Sequence, residues 1–143
     1  MFEQLMMMTS SQIFEALMKK ITDDPFLEYF AYSTPYTNFA VAGTQQLAFT
    51  VGNLPFRVYF LTAQITTPAT ATIQIMQNNN QKNWFDRAIQ FSNINGNAGL
   101  PLILPAPRIV AINETVTSYI TTAGVDNIQL VFHGAKVYGK AQR

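Results

Sequence analysis

The sequence predicts a mainly β protein, an antiparallel β-sandwich or jelly roll preceded by an N-terminal amphipathic helix. Three observations carry this expectation. Apolar residues recur at helical spacing before residue 30 and at alternate positions after it. Turn-forming clusters separate the alternating runs: Gly52-Asn53, Thr67-Pro68, Asn78-Asn79-Asn80, Asn95-Gly96-Asn97 and Ala123-Gly124. Between Glu28 and Lys82 the only charged residue is Arg57, and the apolar residues there are interleaved with Thr, Gln, Asn and Ser. Short strands spaced by such turns, with no helical period behind them, indicate packed sheets.

The helix comes first. Thr9, Ser10 and Ser11 are N-cap candidates, and Thr9 with Gln12 has capping-box spacing. Ile13, Phe14, Leu17, Met18 and Ile21 share one face, and Glu15 and Lys19 form an i,i+4 pair away from it. Asp23, Asp24 and Pro25 stop the helix, because the residue before a proline leaves the α region. The expected organisation is a helical arm over residues 1–30 and a β-sandwich over 31–143. So short a helix is marginal alone in water, so its apolar face must pack on something. The arm is expected to dock on a partner and to add little to the β-fold.

The strands follow in order. Leu47, Phe49 and Val51 alternate with Gln46, Ala48 and Thr50. Phe56, Val58 and Phe60 are placed on one face of a strand, with Arg57, Tyr59 and Leu61 on the other, so a central strand covered on both sides is expected. Ala71, Ile73 and Ile75 alternate with Thr70, Thr72 and Gln74. Segments 109–113, 116–121 and 128–138 complete the set. In the last, Ile128, Leu130 and Phe132 should face inward, with Asn127, Gln129, Val131 and His133 outward. Gly134 then marks a bulge or a close backbone approach. The segment from Phe91 to Pro107 reads as extended, edge-like or looping, since Pro101, Pro105 and Pro107 cannot donate ladder hydrogen bonds.

Composition bounds the chemistry. A net charge of +1 gives no strong attraction to nucleic acid or anionic lipid, and no Lys/Arg cluster is present. No apolar run reaches the roughly 18 residues of a membrane-spanning helix. With no cysteine there are no disulfides, thiolate metal sites or cysteine nucleophiles. The N-terminus lacks the basic region and cleavage site of a secretory signal, which suggests folding in a cytoplasm. A metal site needs more ligands than the single histidine, His133. Asp86, Glu114 and Asp126, the acids of the β-region, show no spacing that links them to it. No GxGxxG, P-loop or EF-hand loop occurs. The expectation is no catalysis and no cofactor or metal.

What remains points to assembly. Only 12% of the residues are charged, against about a quarter in ordinary soluble domains. Long uncharged strands left free invite edge-to-edge association, so a subunit that covers them is expected. The candidate assembly contacts are Ile13, Phe14, Leu17, Met18 and Ile21 of the helix, and Leu100, Leu102 and Leu104 of the proline-rich segment. The alternative function is a carbohydrate-binding module, in which Trp84 beside the Asn-rich loop 78–83 would be the glycan platform; the stronger reading of Trp84 itself is a core ring, packed beneath a loop at a strand start.

The C-terminal part carries a family resemblance. The residues are Leu100-Pro101-Leu102-Ile103-Leu104-Pro105-Ala106-Pro107-Arg108-Ile109-Val110 and Ala111-Ile112-Asn113, then Asn127-Ile128-Gln129-Leu130-Val131-Phe132-His133-Gly134-Ala135-Lys136-Val137-Tyr138. This stretch, about residues 98–139, resembles small β-sandwich or jelly-roll capsid-region proteins of tailed bacteriophages. They have a proline-rich segment, a strand ending in Asn and a last strand of the form L-V-L-H-G-x-K-x-Y. The resemblance implies a virion structural protein, such as a decoration (cement) or minor capsid subunit. Its partners would be copies of itself and other virion proteins, with assembly in the host cytoplasm.

Overall fold

Helix α1 spans Ser10–Asp23 in the computed structural model, which describes residues 10–66, 70–94 and 102–139. It stops where the sequence stops it, and Asp24 Oδ1 accepts a 2.8 Å hydrogen bond from the Phe26 amide to turn the chain. Strands then follow: β1 (Leu27–Ser33), β2 (Thr37–Phe39), β3 (Gly43–Thr50), β4 (Phe56–Ile65) and β5 (Thr72–Gln77). After them come β6 (Lys82–Asn83), β7 (Ile89–Gln90), β8 (Leu102–Val110), β9 (Thr115–Thr122) and β10 (Asp126–Val137). The first strand begins at Leu27, so it straddles the boundary expected after residue 30.

All pairings are antiparallel. One sheet runs β1-β10-β4-β8, with β2 extending the β1 edge of β10; the other runs β3-β9-β5-β6, with β7 also on β5. The two sheets pack face to face as a β-sandwich. Their shared core includes Phe39, Phe56, Val58, Leu61 and Phe132 from the first sheet and Leu47, Phe49, Ile73, Ile75 and Ile120 from the second. As the alternation requires, Ile128, Leu130 and Phe132 are buried while Asn127, Gln129, Val131 and His133 are half-exposed on the outside.

Strand β4 departs from the expected alternation. Val58 pairs with Gly134 and Phe60 with the adjacent His133, so Tyr59 is an extra residue, a β-bulge. The inward set is therefore Phe56 and Val58 before the bulge and Leu61 after it, while Tyr59 and Phe60 both turn outward. A strict two-residue period carried through the strand places Phe60 and Leu61 on the wrong faces. The same bulge presses Gly134 against the Arg57 carbonyl, which a Cβ at 134 would overlap.

The outward pair Tyr59 and Phe60 explains where the helix goes. Ile21, 1% exposed, packs with Leu27, Tyr59, Phe60 and Ala135, and Leu17 and Met18 close over the same cluster. Helix α1 thus covers the outer face of the β4 sheet of its own chain. Its apolar face packs on the sheet of its own chain, over Tyr59 and Phe60, where docking on a partner was expected. The same packing covers β4 on both faces, as expected for a central strand.

The proline-rich segment is an edge strand. Among the described residues β8 pairs only with β4, and Pro105 and Pro107 fall between the paired residues Ile103 and Arg108. Residues that lack an N–H are placed where the ladder is interrupted.

Candidate functional site

Two polar constellations and one groove stand out among the described residues. The first begins where β5 ends. Gln77 is buried, and its Nε2 donates to the Ile109 carbonyl at 2.9 Å and to Glu114 Oε1 at 3.3 Å. Its Oε1 accepts from Trp84 Nε1 at 3.1 Å. Glu114, 2% exposed, also accepts from the backbone amides of Ala111 at 3.0 Å and Asn79 at 3.1 Å. One carboxylate thereby ties the 78–80 turn to the β8–β9 turn, where Asn113 takes a left-handed φ of 61° that asparagine tolerates. Its oxygens are satisfied by amide donors, as a buried carboxylate requires.

Trp84 sits inside this network at 6% exposure and meets Phe132 edge to face at 5.9 Å. Arg108 lies 5.4 Å above the indole and donates to the Trp84 carbonyl at 3.3 Å. A glycan platform needs an open aromatic face, and at 6% exposure Trp84 is instead a core residue, the reading that its place at a strand start favours over the alternative glycan contact. Above it lies an open groove of about 580 Å³ lined by Gln77, Lys82, Phe85, Leu104, Pro107 and Arg108. It offers an apolar wall and two cations, which suits binding and supplies no nucleophile with a base beside it.

The second constellation surrounds His133 on the outer face of the β4 sheet. Its Nδ1 lies 2.7 Å from the Tyr29 hydroxyl and its Nε2 2.9 Å from Thr62 Oγ1. Its ring stacks on Phe60 at 4.7 Å with planes 10° apart. The imidazole is thus held by two hydroxyls, without a carboxylate to orient it as in a triad. Burial lowers the His133 pKa below its usual value and raises that of the Tyr29 phenol. The phenol therefore stays protonated at neutral pH.

A stability effect follows from the histidine. With the folded pKa depressed, the unfolded chain binds the proton more readily, so stability rises with pH between the two values. The contribution is complete above the unfolded pKa of about 6.5 and is lost as pH falls through the folded one. The melting temperature is expected to be level from about pH 8 to 7 and to decline from about pH 6.5 toward 5. In His133→Gln that decline should flatten. An unchanged slope in the variant would show that other groups govern it.

The remaining candidates are distributed as follows. Leu17, Met18 and Ile21 are drawn into the cluster under α1, and Ile13 is half-exposed at its side. The Phe14 side chain and Leu100 lie outside the described residues. Leu102 and Leu104 pack against the main core. Five of the eight expected assembly contacts, Leu17, Met18, Ile21, Leu102 and Leu104, are therefore used within the chain itself, with Ile21 the most deeply buried. No group of three His, Cys, Asp or Glu residues that could hold a metal occurs among the described residues. Among them, no helix is long and apolar enough to cross a membrane.

The outer face of the β3 sheet was not singled out by sequence. Thr44 pairs with Thr121, Gln46 with Tyr119 and Ala48 with Thr117, and Gln74 and Met76 continue the face on β5; Thr117 itself is covered, its hydroxyl donating to Asn78 Oδ1 at 3.0 Å. Among the described residues this face of β3, β9 and β5 carries no charge. The signal was present in the uncharged run, but only the register shows that these residues form one surface. Comparison of the chain with protein-family models, with curated proteins and with solved structures finds no match.

Proposed function

We propose that the sandwich is a jelly roll and that this chain is a non-enzymatic structural subunit of a viral particle, a bacteriophage capsid decoration or minor capsid protein that acts through protein–protein assembly. The roll is supported by connectivity. Taking β1 with β2 and β6 with β7 as single interrupted strands leaves eight, in the orders 1-8-3-6 and 2-7-4-5. Every connection then changes sheet except the one after β5. This is the winding of a long hairpin rolled on itself, an architecture used by viral capsid proteins, lectins and cupins.

A fold does not choose among those uses. The observation that carries the structural reading is the uncharged outer face of the β3 sheet. A free monomer gains solubility from surface charge, and a subunit covered by neighbours has no such need. The resemblance of the last strand and the proline-rich segment to phage capsid-region proteins agrees with it. The buried indole of Trp84 removes the main support for a glycan-binding module.

Density-gradient purification of particles from cells producing the encoding virus tests the reading. The chain should band with particles at a fixed ratio to the major shell protein. Recovery only from the soluble fraction would overturn it.

A further inference from the structure

A sheet edge exposes unpaired N–H and C=O groups, and proteins blunt such edges with prolines, charges, bulges or short strands. Three of the four edges here are blunted. The β8 edge has Pro105 and Pro107 in a bulged stretch, followed by Arg108. The β6 and β7 edge is two strands of two residues each, with Lys82, Asp86 and Arg87 along it. The β1 edge carries Glu28 and is broken by Thr34-Pro35-Tyr36 before β2 resumes it.

The fourth edge is left open. β3 runs eight residues in unbroken register with β9, from Gly43 opposite Thr122 to Thr50 opposite Thr115. It contains no proline, charge or bulge, and among the described residues nothing pairs with its other side. We propose that the free edge of β3 pairs antiparallel with the same edge of a second copy of this chain, across a two-fold axis beside Leu47. The proposal rests on the assembly reading above and names the surface and partner through which it operates.

The choice of a second copy follows from charge and register. At a two-fold axis each residue meets its own surroundings repeated, so a charge near it faces a like charge. The Thr, Gln, Ala and Gly residues of β3 meet this condition without an acidic or basic group anywhere along the strand. Residues opposite each other in antiparallel strands lie on the same sheet face, so the buried Leu47 and Phe49 must oppose odd-numbered partners. Centring on Leu47 satisfies this and pairs residues 44–50: Thr44 meets Thr50, and Gln46 meets Ala48, of the other copy.

Gln46 and Ala48 are exposed, so both can be changed without disturbing the core. Sedimentation at micromolar concentration should give twice 16.0 kDa for the unchanged protein. The double variant Gln46→Lys, Ala48→Lys sets like charges opposite one another twice and should sediment as a monomer that still melts cooperatively, at a temperature that no longer rises with protein concentration. The double variant Gln46→Lys, Ala48→Glu sets opposite charges in the same places and should return to the dimer. A dimer that survives the two lysines overturns the β3 edge while leaving assembly through another surface standing. An unchanged protein that is monomeric yet bands with particles overturns self-pairing alone, and one that does neither overturns the assembly reading as well.

Discussion

Phe132→Ala is expected to lower the unfolding free energy by about 3–5 kcal/mol, the usual result of emptying a large buried aromatic site. Phe132 lies on β10 at 0% exposure, and its ring meets Phe49 of β3 at 4.7 Å and Trp84 at 5.9 Å. It therefore joins the two sheets, and neither can close the space alone. Urea denaturation with an unchanged m-value would record the loss as stability. The neighbouring His133→Ala removes two hydroxyl contacts and a stacked ring from a half-exposed site. Its cost is expected to be about 1–2 kcal/mol, more than for a bare surface position. Equal losses in the two variants would contradict the assigned faces of β10.

Gly134→Ala is expected to cost about 3 kcal/mol, the upper part of the range for overpacking. A Cβ there would overlap the Arg57 carbonyl and lie 3.1 Å from Val58 Cα, and both obstacles are backbone. Relief requires β4 and β10 to separate at their bulge, in the centre of the sheet. Gly52→Ala is the matched control, since the nearest atom to its added methyl is the Tyr32 hydroxyl at 3.7 Å, an ordinary contact. Its stability should stay within about 0.5–1 kcal/mol of the parent. Parallel thermal melts decide the matter: a Gly134→Ala protein as stable as the Gly52→Ala control would mean that the close approach is not present in solution.

The sequence made much of this legible through periodicity. The inward set of β10, the wet and dry faces of β5 and the bulge at Gly134 all follow from alternation and from what glycine permits. The extended proline-rich edge follows from three missing N–H groups. The flip at Tyr59 does not, because an inserted residue leaves the run apolar on both sides and changes only which side each residue takes. The docking of α1 is hidden for the same reason: its receiving surface, Tyr59 and Phe60, exists only once the bulge turns both outward. Trp84 is ambiguous in sequence, since an indole beside an Asn-rich loop suits both a platform and a plug. Its burial is settled by Gln77, seven positions earlier in the chain, which supplies the acceptor that the ring nitrogen needs inside a core. The neutral face was visible as composition, and the β3–β9–β5 register turned composition into a surface.

Light scattering on the purified full chain at micromolar concentration tests the central claim, that this is an assembling structural subunit, most directly. The account predicts a mass that is a multiple of 16.0 kDa. A single species at 16.0 kDa that also fails to bind particles would contradict it.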